Sequence, residues 1–240
     1  MIRPHLAART CFFAVALLAL AGCESRSISN SGYPGNRLAY NSAYHGELTE
    51  FDVLGLNDAG PITDERIVAE LAAAGHVTPQ IGKPLLVVQS GAVAPDEPML
   101  TALSQSFPIS TFFGTPPQDH ANYSRELRLA AARGGVSQIL CYWGVLETAK
   151  TNEVTKTGSW IPVLGSVVPD ETQKMRIRLK AVLMDVATGR YRMITSVPET
   201  DERLSAALNR ASSDQGQVER LKQLGYADFA RQLVALGSAG

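Results

Sequence analysis

Residues 175–197 read M-R-I-R-L-K-A-V-L-M-D-V-A-T-G-R-Y-R-M-I-T-S-V. Arg176, Arg178 and Lys180 alternate with Ile177, Leu179 and Ala181, the period of two that keeps one face of a strand dry and the other wet. The turn residues follow at Asp185 to Arg190, where Gly189 can take the positive φ that such loops commonly need. Tyr191 to Val197 then returns. An antiparallel hairpin over Met175–Val197 follows, and with it a sheet that is at least partly antiparallel.

Upstream, the pattern changes to alternating strands and helices. A strand is predicted over Glu47–Leu56, and a helix over Thr63–Ala74, where Ile67, Val68, Leu71 and Ala74 have helical spacing behind a Thr63 or Asp64 cap and Gly75 stops the run. Lys83–Ser90, K-P-L-L-V-V-Q-S, suits a strand buried on both faces. Asp96–Phe107 reads as a helix, Ile109–Phe113 as a strand, and Ala121–Arg133 as a helix ending at Gly134-Gly135. Val136–Glu147 gives a long strand and Thr155–Val168 a second one. Glu199–Leu236 reads as helical, with Val218, Leu221, Leu224, Phe229 and Leu233 as its buried stripe and Gly225 as a break. The fold class is α/β: a mixed sheet with helices packed on it, an antiparallel hairpin in the later half and a C-terminal helix.

The N-terminus carries a different kind of information. Arg3, His5 and Arg9 precede an unbroken apolar run from Cys11 to Ala21, the n-region and h-region of a signal peptide. Eleven helical residues rise about 16 Å against roughly 30 Å of hydrocarbon, too short for a stable span. Leu20-Ala21-Gly22-Cys23 closes the run and resembles the lipobox of bacterial lipoproteins. That resemblance implies cleavage between Gly22 and Cys23, transfer of diacylglycerol to the Cys23 thiol, and anchoring in a membrane through the lipid. Glu24 follows where proteins retained in the inner membrane often carry Asp, so the resemblance implies the periplasmic face of the outer membrane. The domain plan is then a signal peptide at 1–22, a lipidated cysteine and flexible tether at 23–46, and one periplasmic α/β domain at 47–240. The tether reading rests on a Ser-, Asn-, Gly- and Tyr-rich composition without an apolar period.

The chain has 22 Lys+Arg against 23 Asp+Glu. Losing Arg3 and Arg9 with the signal leaves a net charge near −3, and no basic field to attract nucleic acid or anionic lipid. Of three cysteines, Cys11 departs with the signal and Cys23 takes the lipid. Cys141 is then alone, no internal disulfide can form, and stability must come from packing. In Q-I-L-C-Y-W it has no neighbouring base or lysine to activate it, so it reads as a small buried hydrophobe.

The strand L-L-V-V-Q-S-G, the G-G-V-S-Q-I-L-C-Y-W segment and the V-L-M-D-V-A-T-G-R-Y hairpin together resemble a periplasmic α/β domain. That domain is shared by the curli secretion pore lipoprotein, the lipoprotein activators of penicillin-binding proteins and the N-terminal domain of the Tol translocation protein. The resemblance spans roughly residues 80–236 and implies a non-enzymatic protein that binds a periplasmic protein or cell-wall component. Its matching turn is structural and carries over no binding residue. A pore role needs alternating lipid-facing strands, and Thr148–Lys156 is too polar to supply one.

No catalytic set, cofactor site or metal site is expected. Ser90 follows a buried strand, but Val88 and Ala92 replace the glycines of a nucleophile elbow. His45, His76 and His120 lack a second ligand at metal spacing, and Asp119 beside His120 reads as a surface loop. Trp160, in K-T-G-S-W-I-P-V-L-G, is the one candidate partner-binding residue. Tyr142 and Trp143 read as core and face residues of a strand. A wall- or peptide-acting hydrolase and an oligomeric export subunit remain the alternatives.

Overall fold

The computed structural model describes residues 23–32, 44, 46–56, 60–73, 75–112, 122–152, 171–205 and 210–239. The order is β1 (Cys23–Ser27), a 3-10 turn (Ile28–Asn30), α1 (Glu50–Leu54), α2 (Asp64–Ala72), β2 (Leu85–Gln89), α3 (Glu97–Ser104) and β3 (Ile109–Thr111). It continues with α4 (Tyr123–Arg133), β4 (Gln138–Asn152), β5 (Glu171–Asp185), β6 (Tyr191–Thr195), β7 (Glu199–Ser205) and α5 (Arg210–Ser238). Strands β4 and β5 pair antiparallel along fifteen residues each, from Gln138↔Asp185 to Asn152↔Glu171. Shorter strands flank this spine, and they differ between its two ends. At the Gln138 end the order is β3-β2-β4-β5-β6, with β2 parallel to both β3 and β4. At the other end β1 takes the outer side of β4 and β7 the outer side of β5, both antiparallel.

Both faces are covered at the Gln138 end. On one side α3 and α5 bury Met99, Leu103, Val218, Leu221, Tyr226, Phe229 and Leu233 against Val87, Leu140 and Leu179. On the other, α1 and α4 bury Val53, Leu127 and Ala131 against Val88, Ile139, Cys141 and Val182. Each fully buried large side chain of this kind contributes about 1.5–3 kcal/mol relative to exposure, so the α5 stripe is a principal fastening of the fold. This double cover explains why Leu85–Gln89 is an apolar run without alternation. Toward the other end the face away from α5 is wet, and Val145 and Arg178 face one another there across the strands. The α/β class, the mixed sheet, the hairpin and the C-terminal helix all agree with the reading of the sequence.

Four expectations are corrected. Glu47–Leu56 forms α1 where a strand was expected, because Thr49 and Asp52 exchange a reciprocal capping box and Gly55, at φ 66°, ends the helix. Residues 23–32, expected within a flexible tether, are folded instead. Backbone pairing of β1 to β4 and burial of Ile28, Ser29 and Ser31 hold them. Ile28 reaches the sheet because Gly144 opposite it has no side chain: a Cβ there would stand 3.0 Å from Ile28 Cγ2 and 2.8 Å from the Arg178 carbonyl oxygen. Glu199–Ser205 is strand β7 rather than the start of the last helix, since the outer edge of β5 beyond its pairing with β6 offers unpaired backbone groups. Finally, Gly225 does not break α5; it lets the helix approach the sheet, where a Cβ would meet Ile177 Cγ2 at 3.0 Å, and Leu224 of the expected stripe is half exposed. The strand expected at Thr155–Val168 lies outside the described residues.

Candidate functional site

Ligand sites in open α/β sheets gather at the carboxyl ends of parallel strands. Here that place, after β2, holds a buried polar cluster. Tyr142 on β4 donates its hydroxyl hydrogen to Gln89 Oε1 at 2.5 Å, and the same oxygen accepts the Asp96 backbone N–H at 2.7 Å. Gln89 Nε2 donates to Ser29 Oγ at 2.9 Å, and Ser29 donates onward to the Ser90 carbonyl at 2.5 Å. On the α5 side, Lys222 Nζ and the Tyr226 hydroxyl both donate to Asp96 Oδ2, at 2.8 and 2.6 Å. The two tyrosine rings meet edge to face with centroids 6.0 Å apart. Burial is the first cause that pushes both phenols well above their usual range; the Asp96 charge comes next for Tyr142, and for Tyr226 the neighbouring Tyr142 and then Asp96.

Each donor in this cluster faces an acceptor, so it acts as a bolt joining the 3-10 turn, β2, the α3 cap, β4 and α5. Ser90 is fully buried and its Oγ accepts the Leu48 N–H at 2.7 Å, so this hydroxyl is occupied inside the fold. Gly91 after it takes φ 76°, and a Cβ there would meet Tyr44 Cε2 at 2.8 Å. Sequence reading missed Asp96, Lys222 and Tyr226. The signal was present: Lys222 sits in register between Val218 and Tyr226 on the buried row of a helix, where a cation needs a partner.

A second feature lies elsewhere. A cleft of about 640 Å³ separates α2 from α4 and the β5–β6 turn. Ile62, Ile67, Leu71 and Tyr191 give it apolar walls, and Arg66, Arg125, Arg128 and Arg190 stand around it with Glu70. The turn is braced from α4: Arg128 donates from Nε to the Val186 carbonyl at 2.8 Å and from Nη2 to the Ala187 carbonyl at 2.9 Å. Within it Thr188 N–H and Oγ1 both donate to Asp185 Oδ1. Gly189, at φ 73°, passes so close to Arg128 that a Cβ would stand 2.7 Å from Nη1. The D-V-A-T-G sequence is thus a clamped turn, and the clamp forms part of the cleft.

On the wet face of β4 and β5, Glu147 accepts from both Arg176 and Arg178. The Arg176 hydrogen bond and the charges of both guanidiniums hold its carboxyl below the usual range. Lys180 pairs with Glu50 and lies 6.0 Å from the centre of the Trp143 ring.

Of the residues singled out in the sequence, Cys23 opens β1 and pairs with Ala149. Cys141 is fully buried. His76 is exposed on the surface. Gly22, His45, Asp119, His120 and Trp160 lie outside the described residues. Among the described residues no three His, Cys, Asp or Glu side chains gather as a metal site, and no helix is long and apolar enough to cross a membrane.

The model of the YafT bacterial lipoprotein family matches residues 49–236. No curated protein matches the chain. A solved structure of a hypothetical protein from Chlamydia trachomatis is 10% identical, covering 67% of this chain and 100% of its own, with a TM-score of 0.29. That likeness is too slight to carry over any residue.

Proposed function

The chain belongs to the YafT bacterial lipoprotein family, and from that premise we propose that it is a lipid-anchored accessory protein of the cell envelope, binding a periplasmic protein or wall component without chemistry of its own. In this reading residues 1–22 are a signal peptide cut between Gly22 and Cys23, Cys23 carries the lipid, and residues 47–240 form one periplasmic domain on the inner side of the outer membrane. Family membership is the observation that carries it, because it covers most of the folded chain and gives the Cys23 motif its meaning. The polar cluster after β2 supports the binding role, since its groups bond one another.

The likeness to the domain of the curli pore lipoprotein, the penicillin-binding-protein activators and the Tol translocation protein belongs to the same proposal. The mixed sheet and the clamped Asp185–Arg190 turn are consistent with it. Trp160 is proposed as a partner-binding residue: the segment containing it joins Asn152 to Glu171, a paired end of the sheet only three positions from the Cys23 partner Ala149.

Cells expressing the wild type and Cys23→Ala test the anchor. Outer-membrane location and an acyl mass on the wild type, with release or failed processing of the variant, are expected. Equal solubility of the two forms, with no lipid mass, overturns the proposal.

A further inference from the structure

The wet face of β4 and β5 is also the face on which β1 begins. Directly paired residues of an antiparallel sheet share a face. Three rows can therefore be followed across the strands: Cys23–Ala149–Lys174, Ser25–Glu147–Arg176 and Ser27–Val145–Arg178. Between them Met175, Ile177 and Leu179 are buried on the α5 side, while Ser25, Lys174 and Arg178 are exposed and Val145 is 41% exposed. The register sets Cys23 in line with the solvent-facing positions of the sheet.

Little chain can swing at this point. Cys23 is the first residue of β1, so no residue lies between it and the sheet. All five residues of β1 pair with β4, and Ile28 behind them is 1% exposed opposite Gly144. Ser29 then accepts from Gln89 Nε2 at 2.9 Å and donates to the Ser90 carbonyl at 2.5 Å. A lipid carried on Cys23, as proposed above, would draw the neighbouring rows to the bilayer surface. The Arg176 and Arg178 rows lie two and four strand positions away, about 7 and 14 Å at the usual rise.

The chemistry of these rows suits a headgroup layer. Glu147 accepts from both Arg176 and Arg178, whose side chains are 43% and 50% exposed. Further along, Lys180 pairs with Glu50 and stands over Trp143. Both signs of charge are present, as in a layer of zwitterionic phospholipid, and guanidinium forks match phosphate oxygens. Val145 and the half-buried Trp143 add apolar surface, and tryptophan beside basic residues is the composition of membrane interfaces. With 22 Lys+Arg against 23 Asp+Glu the chain has no overall pull toward anionic lipid, so this contact follows anchoring instead of causing it. We infer that the β1–β4–β5 face lies on the phospholipid headgroups of the bilayer that holds the Cys23 lipid. This deepens the lipid-anchor reading, on which it rests, by naming the side of the domain that the membrane covers.

The test uses full-length acylated protein in vesicles of phosphatidylethanolamine and phosphatidylglycerol, with and without lipids spin-labelled on the headgroup. Single fluorescent labels are placed at Val145→Cys on this face and at Leu224→Cys on α5 across the sheet, both exposed positions, while Cys141 is buried and stays unlabelled. Spin-labelled headgroups should quench the label at 145 several-fold more than the label at 224. Arg178→Glu should lower the quenching at 145, because a carboxylate there repels phosphate. Val145, Leu224 and Arg178 are exposed, so these variants should keep the wild-type melting temperature, which is checked in parallel. Equal quenching at the two positions, quenching at neither, or quenching at 145 that Arg178→Glu leaves unchanged would each overturn the face assignment. So would quenching at 145 that disappears as protein density in the vesicle rises, since a second copy then covers the face. Loss of the assignment with acyl mass present leaves the anchor proposal standing; absence of acyl mass removes the premise on which both rest.

Discussion

The Cys141 thiol pairs in the sheet with Val88 on one side and Val182 on the other and has no access to solvent. Burial, and secondarily the Glu47 charge, push its pKa well above the ordinary 9.0, so the neutral thiol is the folded form. Tyr142 and Tyr226 are held neutral in the same way above their ordinary 10.0. Groups that keep their proton more tightly when folded favour the native state up to their unfolded pKa and weaken it as pH rises beyond. Stability should therefore be flat from neutrality to about pH 9 and fall above it, in urea melts followed by fluorescence. Thiol reagents should label Cys141 only as denaturant unfolds the chain. Rapid labelling under native conditions is incompatible with a buried thiol.

Helix α5 is tied to the rest of the fold by its apolar stripe and by the Lys222–Asp96 ion pair. Lys222 is nearly buried and Asp96 about a quarter exposed, and the Asp96 carboxylate also accepts from Tyr226. Removing one member of a buried pair costs about 3–5 kcal/mol through the charge left behind; partial exposure of Asp96 reduces this to about 2–3 kcal/mol for Lys222→Met. The double variant Lys222→Met/Asp96→Asn should be more stable than the single, because no buried charge is then orphaned. Chemical denaturation of all three proteins checks the order. The same logic separates this pair from Glu147 with Arg176 and Arg178, which lie on a wet face where solvent screens them.

On the scale of the whole molecule, Cys23 and the cleft stand at opposite ends of the β4–β5 spine. Because β1 starts at Cys23 and Ile28 is buried, a lipid carried on Cys23, as proposed, would join the sheet with little slack. Single fluorescent labels at Ser25→Cys and Ala187→Cys in acylated protein on vesicles report this directly, both positions being exposed. Bromine-bearing lipids should quench the label near β1 and leave the label on the β5–β6 turn bright. Equal quenching at both positions is the result that removes the separation.

Much of this organisation is local in origin and so was written in the sequence. Alternation along Met175–Val197 gives the hairpin, Gly189 its turn, the apolar run at Leu85–Gln89 a strand covered on both faces, and Thr63 the start of α2. The lipoprotein class was legible for the same reason: Leu20–Cys23 resembles a lipobox, a motif made of adjacent residues, and the family agrees with that class. Tertiary structure decided what depended on partners distant along the chain. The Glu199–Ser205 segment became a strand because β5 had an open edge. Residues 23–32 folded against the sheet, with Cys23–Ser27 as a strand, because Gly144 left room for Ile28. Asp96 and Lys222 met across 126 residues, and four arginines from α2, α4 and the β5–β6 turn converged on one cleft. Periodicity records which face of an element avoids water, but not which distant element covers that face, and an ion pair or a groove exists only once that choice has been made.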